Sequence, residues 1–428
     1  MDEPAVRPAR HHGPRAAGMG VVLMSAQSAA TQAASTPAAS SAAGAGPLLD
    51  VFDRMGMTVA LGDGVTVEDS TGRRYIDFYG GHAVASLGYG HQRLLDALTG
   101  QAQRLFFQSN AVDLEVRTRA AAALVRIAPK GLTKVFFVNS GAEANENALR
   151  IAFLVTRRPK VVAVSGAFHG RTAAAAAITD HHETWYAFPR MPFDVSWVPF
   201  DDVAALRAAV DRDTAAVIFE PVQGVAGARA LSRNFVQAAR AAATQAGALL
   251  ILDEVQIGVG RSGHGFAADH YGVLPDVLTT AKGIAGGFPC GALLVGDALA
   301  AQLKKGQLGT TFGGGPLACA LVEATLQAIE EDRVLERVRR VSKRILETCR
   351  VGPVEAIQGL GLLLGLKCTR PAKEVLAELR ARGILAGSSH DPKVVRLLPP
   401  LVVEEEHVAQ LAAALASLPR QAALENSR

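Results

Sequence analysis

Between roughly residues 100 and 300 the chain alternates short apolar runs with longer stretches of helical period. Lys134-Val135-Phe136-Phe137-Val138, Lys160–Val164, Ala215–Phe219, Ala248–Leu252 and Asp276–Ala281 are the runs. Each has strand length and no polar alternation, the pattern of a strand covered on both faces, as in a parallel sheet. Leu94–Leu105, Asp113–Ala128, Glu143–Arg157, Arg233–Ala246 and Leu317–Glu331 carry the helices. Strands alternating with helices predict an α/β fold: a mostly parallel sheet with helices on both faces.

The flanks read differently. Gly62–Phe78 predicts two or three short strands around a Ser70-Thr71-Gly72 turn, followed by a small-residue loop, Gly80–Gly88. After Arg333 come a charged amphipathic helix, strands at Gly359–Leu366 and Val394–Leu398, and a last helix over about Glu404–Leu418. These form a smaller α+β domain completed by the N-terminal strands. The expected division is an Ala/Ser-rich disordered leader over 1–46, the N-terminal part of the small domain over 47–95, a large domain over 96–325, and the C-terminal small domain over 326–428. A signal peptide competes for the leader, but its apolar core Gly20–Met24 is too short; Met19 or Met24 is an alternative start.

Composition narrows the class. Net charge is +4 from 44 basic and 40 acidic residues, and aromatics make up 5% of the chain, a balance that points away from nucleic acid. No later run reaches the roughly 20 apolar residues of a membrane helix. Cys290, Cys319, Cys349 and Cys368 are widely spaced, which suits free thiols in a reducing cytoplasm and predicts no metal site.

The candidate chemistry lies at strand ends. Ala248–Leu252 runs into Asp253-Glu254, and Asp276–Ala281 delivers Lys282 into Gly283-Ile284-Ala285-Gly286-Gly287. Ligands of open α/β sheets gather at that edge. An amine beside a carboxylate fits pyridoxal phosphate, which needs a Schiff-base lysine and an acid for its ring nitrogen. A buried Asp–Lys ion pair fits equally well. Ser140-Gly141-Ala142 before a helix offers backbone N–H groups to a phosphate, or simply caps the helix. Phe168 could cover a flat ring and Arg171 could bind a carboxylate, or they could be a packing aromatic and a surface arginine. Arg396, between apolar neighbours, is either a carboxylate receptor or a half-exposed edge residue. Thr310 and Thr311 could serve a phosphate or a helix cap. His82 could touch a substrate or make structural contacts only.

Five motifs in order break these ties: Asn-Ser-Gly-Ala-Glu-Ala-Asn-Glu at 139–146, Phe-His-Gly-Arg-Thr at 168–172, Asp-Glu-Val-Gln at 253–256, Ala-Lys-Gly at 281–283 and Thr-Thr-Phe-Gly-Gly at 310–314. Over about residues 48–418 the chain resembles the class III (ω-amino acid) aminotransferases of pyridoxal-phosphate fold type I, nearest the acylornithine branch. The resemblance implies pyridoxal 5'-phosphate as cofactor, with Lys282 as the catalytic lysine that carries it and moves the proton. Asp253 would pair with the pyridinium nitrogen, Val255 and Phe168 would face the ring, and Gln256 would bond its phenolic oxygen. Ser140, Gly141 and Ala142 would hold the phosphate. Thr311 would reach the phosphate of a neighbouring subunit, which implies a homodimer. Arg171, Arg396 and Thr310 would bind substrate.

The implied reaction moves the δ-amino group of an N-acetyl or N-succinyl ornithine to 2-oxoglutarate, within arginine metabolism. Alternatives are another ω-aminotransferase, acting on ornithine, 4-aminobutyrate, lysine or carrier-bound lysine, or a non-catalytic scaffold that binds the cofactor. Four positions depart from the commonest family pattern: Val225 where glutamate often stands, Tyr89 for His, Gly315 for Asn, and His82 for Ile. Without that glutamate Arg396 has no acidic mask, which argues against free ornithine. His82 and Val225 together lean slightly towards a succinyl group being accepted.

Overall fold

A computed structural model describes residues 47–421; the expected leader over 1–46 and the last residues, 422–428, lie outside it. Residues 47–55 are exposed and carry no helix or strand. From Gly56 onward the chain forms one unit built on three main sheets.

Near the N-terminus β1 (Val59–Asp63), β2 (Thr66–Asp69) and β3 (Arg74–Asp77) form an antiparallel meander. The large sheet comprises β4 (Lys134–Val138), β5 (Lys160–Val164), β6 (Asp194–Val198) and β7 (Thr214–Phe219). After a small ribbon, β8 (Val222–Gln223) with β9 (Arg229–Ala230), it continues with β10 (Leu249–Asp253), β11 (Val277–Thr280) and β12 (Gly291–Val295). Their order is β4-β12-β11-β10-β7-β5-β6, and only β12 runs against the rest.

The unbroken apolar runs have a physical reason. Along β10, Leu250 and Leu252 enter one core while Ile251 enters a second core on the other face. In β7 the pair Val217 and Phe219 opposes Ala216 and Ile218, and β5 divides in the same way. With both faces covered, neither tolerates polar residues. The second core is closed by the helix Gly141–Thr156, through Ala148, Leu149, Ile151 and Ala152. The helices Arg233–Ala246 and Pro316–Glu331 cover the first.

The last part of the chain contributes β13 (Val354–Leu360), β14 (Leu363–Cys368), β15 (Ile384–Leu385) and β16 (Val394–Leu397). Strands β13, β14 and β16 form an antiparallel sheet, while β15 pairs in parallel with β3, Ile384 against Ile76. A C-terminal strand thus joins the N-terminal meander. The single strand expected over Gly359–Leu366 is instead a hairpin. Gly361 sits at φ +59°, and a Cβ there would lie 2.1 Å from the Arg261 carbonyl oxygen, so the chain turns where a glycine permits it. Strands β6 and β12 escaped the sequence reading. So did the helix Ala372–Ala381.

Arg261, only 2% exposed, crosses between these parts. Its guanidinium donates to the carbonyls of Leu362 (3.1 Å), Pro399 (2.8 Å) and Ala83 (3.4 Å), with no carboxylate among its partners, and burial lowers its pKa to about 9. Replacement by Ala would strand three buried carbonyls and leave a void. Arg261→Ala should therefore cost about 3 kcal/mol or more of unfolding free energy. A denaturant titration measures this, and a loss under about 1 kcal/mol would mean that water replaces the guanidinium.

Candidate active site

Every functional strand end lies on one edge of the large sheet. There β10 ends in Asp253, β11 leads to Lys282, β4 to Ser140, β5 to Phe168 and β7 to Glu220. Asp253 is 3% exposed and held by three donors: Asn145 Nδ2 (2.7 Å), His169 Nδ1 (2.7 Å) and its own turn's Val255 N (3.0 Å). Asn145 also donates to the His169 carbonyl (2.8 Å) and accepts from Thr279 Oγ1 on β11 (2.7 Å). The carboxylate is therefore fixed from three elements at once.

Lys282 opens a 3-10 turn at φ +50° and is half-buried. Among the described residues its amine makes no hydrogen bond and no ion pair, and Asp253 has no lysine or arginine within salt-bridge distance. The direct Asp–Lys pair is therefore not formed. Burial is the largest influence on the lysine and lowers its pKa; Asp253 and Glu220 oppose this, and Arg396 and Arg261 add to it. An unpartnered amine facing a pre-oriented anion leaves a place for a ligand that offers each a complement.

Ser140 caps the helix Gly141–Thr156, its hydroxyl accepting from Glu143 N at 3.2 Å. That helix begins two residues earlier than the periodicity suggests, so Gly141 and Ala142 belong to its first turn, where backbone N–H groups lack helical acceptors. The surroundings are tight: a Cβ on Gly141 would lie 2.7 Å from Val255 Cγ1, and one on Gly170 2.7 Å from Ala142 Cβ. Val255 and the Phe168–Arg171 loop thus wall this helix end. Gln256 donates weakly to the His82 carbonyl (3.4 Å), and its buried Oε1 has no partner. Thr310 Oγ1 accepts from Gly313 N (3.0 Å) and lies 3.5 Å from Asn139 Nδ2; Thr311 is exposed.

The two arginines are held differently. Arg171 is exposed and stacks on Phe168 and Trp185, 5.1 and 4.8 Å from the ring centroids. Arg396 is 4% exposed, so the half-exposed edge reading fails. It donates through Nη1 to the Gly224 carbonyl (3.1 Å) and through Nε to the Ser388 carbonyl. Among the described residues no carboxylate pairs with it, and burial lowers its pKa against the pull of Tyr79 and Glu220.

Three residues that sequence reasoning did not assign complete the site. Glu220 accepts from Phe168 N (2.8 Å) and Gly224 N (3.1 Å), tying together the loops that carry Phe168 and the Arg396 acceptor. Burial, then the Asp253 charge, raises it to about 7. His169 and Asn145 were visible only as motif letters: His169 lies between a strand end and the next helix, and Asn145 is a buried polar residue in the second turn of the helix Gly141–Thr156.

The Gly80–Ala83 stretch forms one turn with all four φ values between +55° and +69°, left-handed at every residue. A left-handed residue with a side chain costs roughly 1–2 kcal/mol, so His82 and Ala83 are strained. Asp77 Oδ1 compensates by accepting from Tyr79 N (2.7 Å) and Gly80 N (2.9 Å), while Tyr89 Oη donates to its Oδ2 (2.6 Å).

A sheet of this topology, with an anchored carboxylate, an unpartnered lysine and a helix N-terminus at one edge, is that of a pyridoxal-phosphate transferase of fold type I. The chain belongs to the class III aminotransferases: the family model Aminotransferase class-III matches residues 52–418. The acetylornithine aminotransferase of Streptomyces coelicolor is 42% identical over 388 residues, covering 88% of this chain and 94% of that protein. The acetylornithine/succinyldiaminopimelate aminotransferase of Yersinia pestis is 40% identical, with 82% and 89% covered. Among solved structures, ornithine aminotransferase from Toxoplasma gondii superposes with a TM-score of 0.82 at 29% identity, covering 86% of this chain and 91% of that one. The protein is accordingly a pyridoxal-phosphate-dependent transaminase.

The two carboxylates at the end of β10 are sorted by their partners. Glu254 turns away from the site to accept from Ala267 N (2.5 Å) and Ala268 N (2.8 Å) at the start of a short helix, and burial raises it to about 8. Its folded pKa exceeds its unfolded one, so the stability it contributes is present below about pH 4.5 and lost as pH rises through about 8. Relative to a Glu254→Gln variant, the wild-type thermal midpoint should fall across that window. Calorimetry at several pH values tests this, and two parallel curves would contradict it.

Proposed function

We propose that this transaminase moves the δ-amino group of an N-acylated ornithine to 2-oxoglutarate, giving the acylated glutamate semialdehyde and glutamate, as in arginine metabolism. One observation carries the reading: Arg396 is buried against carbonyls with Val225 beside its acceptor and no glutamate over it. A permanently open cation receives a carboxylate and repels the free α-ammonium of ornithine. The names of the relatives agree, and the Yersinia protein's adds a second acylated diamine to try as donor.

Pyridoxal phosphate supplies a carbonyl that condenses with amines and a ring that accepts electrons. The chain's own residues supply the rest. Backbone N–H groups at Gly141 and Ala142, with the Ser140 hydroxyl nearby, receive the phosphate. Asp253, immobilised by its three donors, would pair with the ring nitrogen. Phe168 and Val255 confine the ring and Gln256 takes its phenolic oxygen. Lys282, whose basicity burial lowers, would hold the cofactor through its amine and, once released, serve as the base that carries the transferred proton. Arg171 and Arg396 bind the two carboxylates of 2-oxoglutarate and, in the other half-reaction, the donor's carboxylate, with Thr310 at the site's rim.

The enzyme works as a homodimer with shared sites, in the cytoplasm. Thr311 is exposed beside Phe312, which is 64% exposed and stacks on Phe107 at 5.4 Å, with Phe106 70% exposed next to it. A second copy covering this apolar patch would carry Thr311 to its phosphate. The four cysteines are free and buried, in keeping with a reducing compartment.

An absorption spectrum of the purified holoenzyme tests the reading. Its visible cofactor band should bleach on adding N-acetylornithine or N-succinylornithine, and much less with ornithine or 4-aminobutyrate. A band that only unacylated donors bleach would overturn the donor assignment. Lys282→Ala should lose at least about 10⁴-fold in turnover, since both the amine and the proton carrier are gone.

A further inference from the structure

We propose that His82 is a specificity-determining residue, presented by the left-handed turn so that its Nδ1–H meets the acyl carbonyl oxygen of the donor. The inference rests on the acylornithine reading above and deepens it.

The first ground is the turn itself. Four consecutive left-handed residues, two of them not glycine, are held by Asp77, Tyr89 and the Arg261 contact with the Ala83 carbonyl. That support surrounds a position where Gly or Asn would relieve the strain, yet His stands there. The second is what the ring faces. It lies edge-on to Tyr79, with Tyr79 Oη 2.5 Å from Nε2, and it feels the charges of Arg396, Lys282 and Arg171. The ring is exposed to the space between those cations.

The proton of the Tyr79–His82 contact is assigned to the phenol, whose hydroxyl then donates to Nε2. Burial raises the phenol to about 12, which keeps that proton in place. The imidazole is neutral, because burial and then the three cations lower it to about 4. With Nε2 occupied, the free nitrogen is Nδ1, and it carries a hydrogen. His82 can therefore only donate outward. An amide carbonyl satisfies it; the α-ammonium of free ornithine, itself only a donor and surrounded by cations, does not.

His82→Gly separates this role from a structural one. Glycine suits φ +65°, so thermal stability of the holoenzyme should not fall and the cofactor band should remain. The ratio of kcat/KM for N-acetylornithine to that for ornithine should drop about tenfold or more. His82→Asn, which also tolerates the left-handed region and keeps an N–H donor, should recover part of the ratio. A His82→Gly enzyme with the ratio within twofold of wild type would overturn the proposal. If the wild type itself does not favour N-acetylornithine, the donor reading falls, and this inference with it.

Discussion

A carboxylate buried without a cation of its own is the constraint on which the site depends. Leaving such a charge uncompensated costs several kcal/mol, whereas each hydrogen bond to it contributes about 1.5–3 kcal/mol. Asp253 has three donors, so the cost is of the same order as the compensation. Those donors come from the helix behind β4, the loop behind β5 and the turn after β10, and Thr279 on β11 aligns the first of them. Displacing any of these strands would break a bond to the anion. The sheet order and the placing of the Asp253 carboxylate are therefore one structural fact.

The same edge shows how environment divides labour among acids. Asp253, Glu254 and Glu220 are all buried there, yet only Asp253 is served by a full set of donors facing the ligand space. Glu254 is turned to a helix start and Glu220 to two loop amides, and burial raises both, to about 8 and about 7. Raising both carboxyls lessens the negative charge beside an amine whose basicity burial lowers. This keeps Lys282 able to take a proton, since an amine fully stabilised as a cation would not.

The large sheet was legible because burial on both faces forbids polar residues, and β5, β7 and β10 therefore appear as uninterrupted apolar runs. Strand β12 has the same character, but it follows a glycine-rich stretch that reads as a loop, and β6 is interrupted by Asp194 and Ser196 at an edge. The hairpin at Gly361 was hidden because all eight residues in 359–366 are Leu or Gly, in an order that suits one strand. Lys282, Asp253 and the Ser140–Ala142 turn stood out because charge or small residues follow a strand closely. His169, Asn145 and Glu220 did not, because their roles come from contacts between elements distant in sequence. Local pattern carries no record of such contacts.

The left-handed turn is where local preference and tertiary demand disagree most openly. Gly80 and Gly81 announce unusual backbone, but nothing in the sequence extends that conformation through His82 and Ala83. It persists because Asp77 binds the turn's amides, Tyr89 binds Asp77, and Arg261 takes the Ala83 carbonyl. Tyr89 and His82, two of the positions where the resemblance led the sequence reading to expect other residues, fall on one small assembly. They are coupled through Asp77: the first supports the backbone, and the second is the side chain that this backbone presents. Backbone support and presented side chain therefore form one unit, in which Asp77 links Tyr89 to the turn that carries His82.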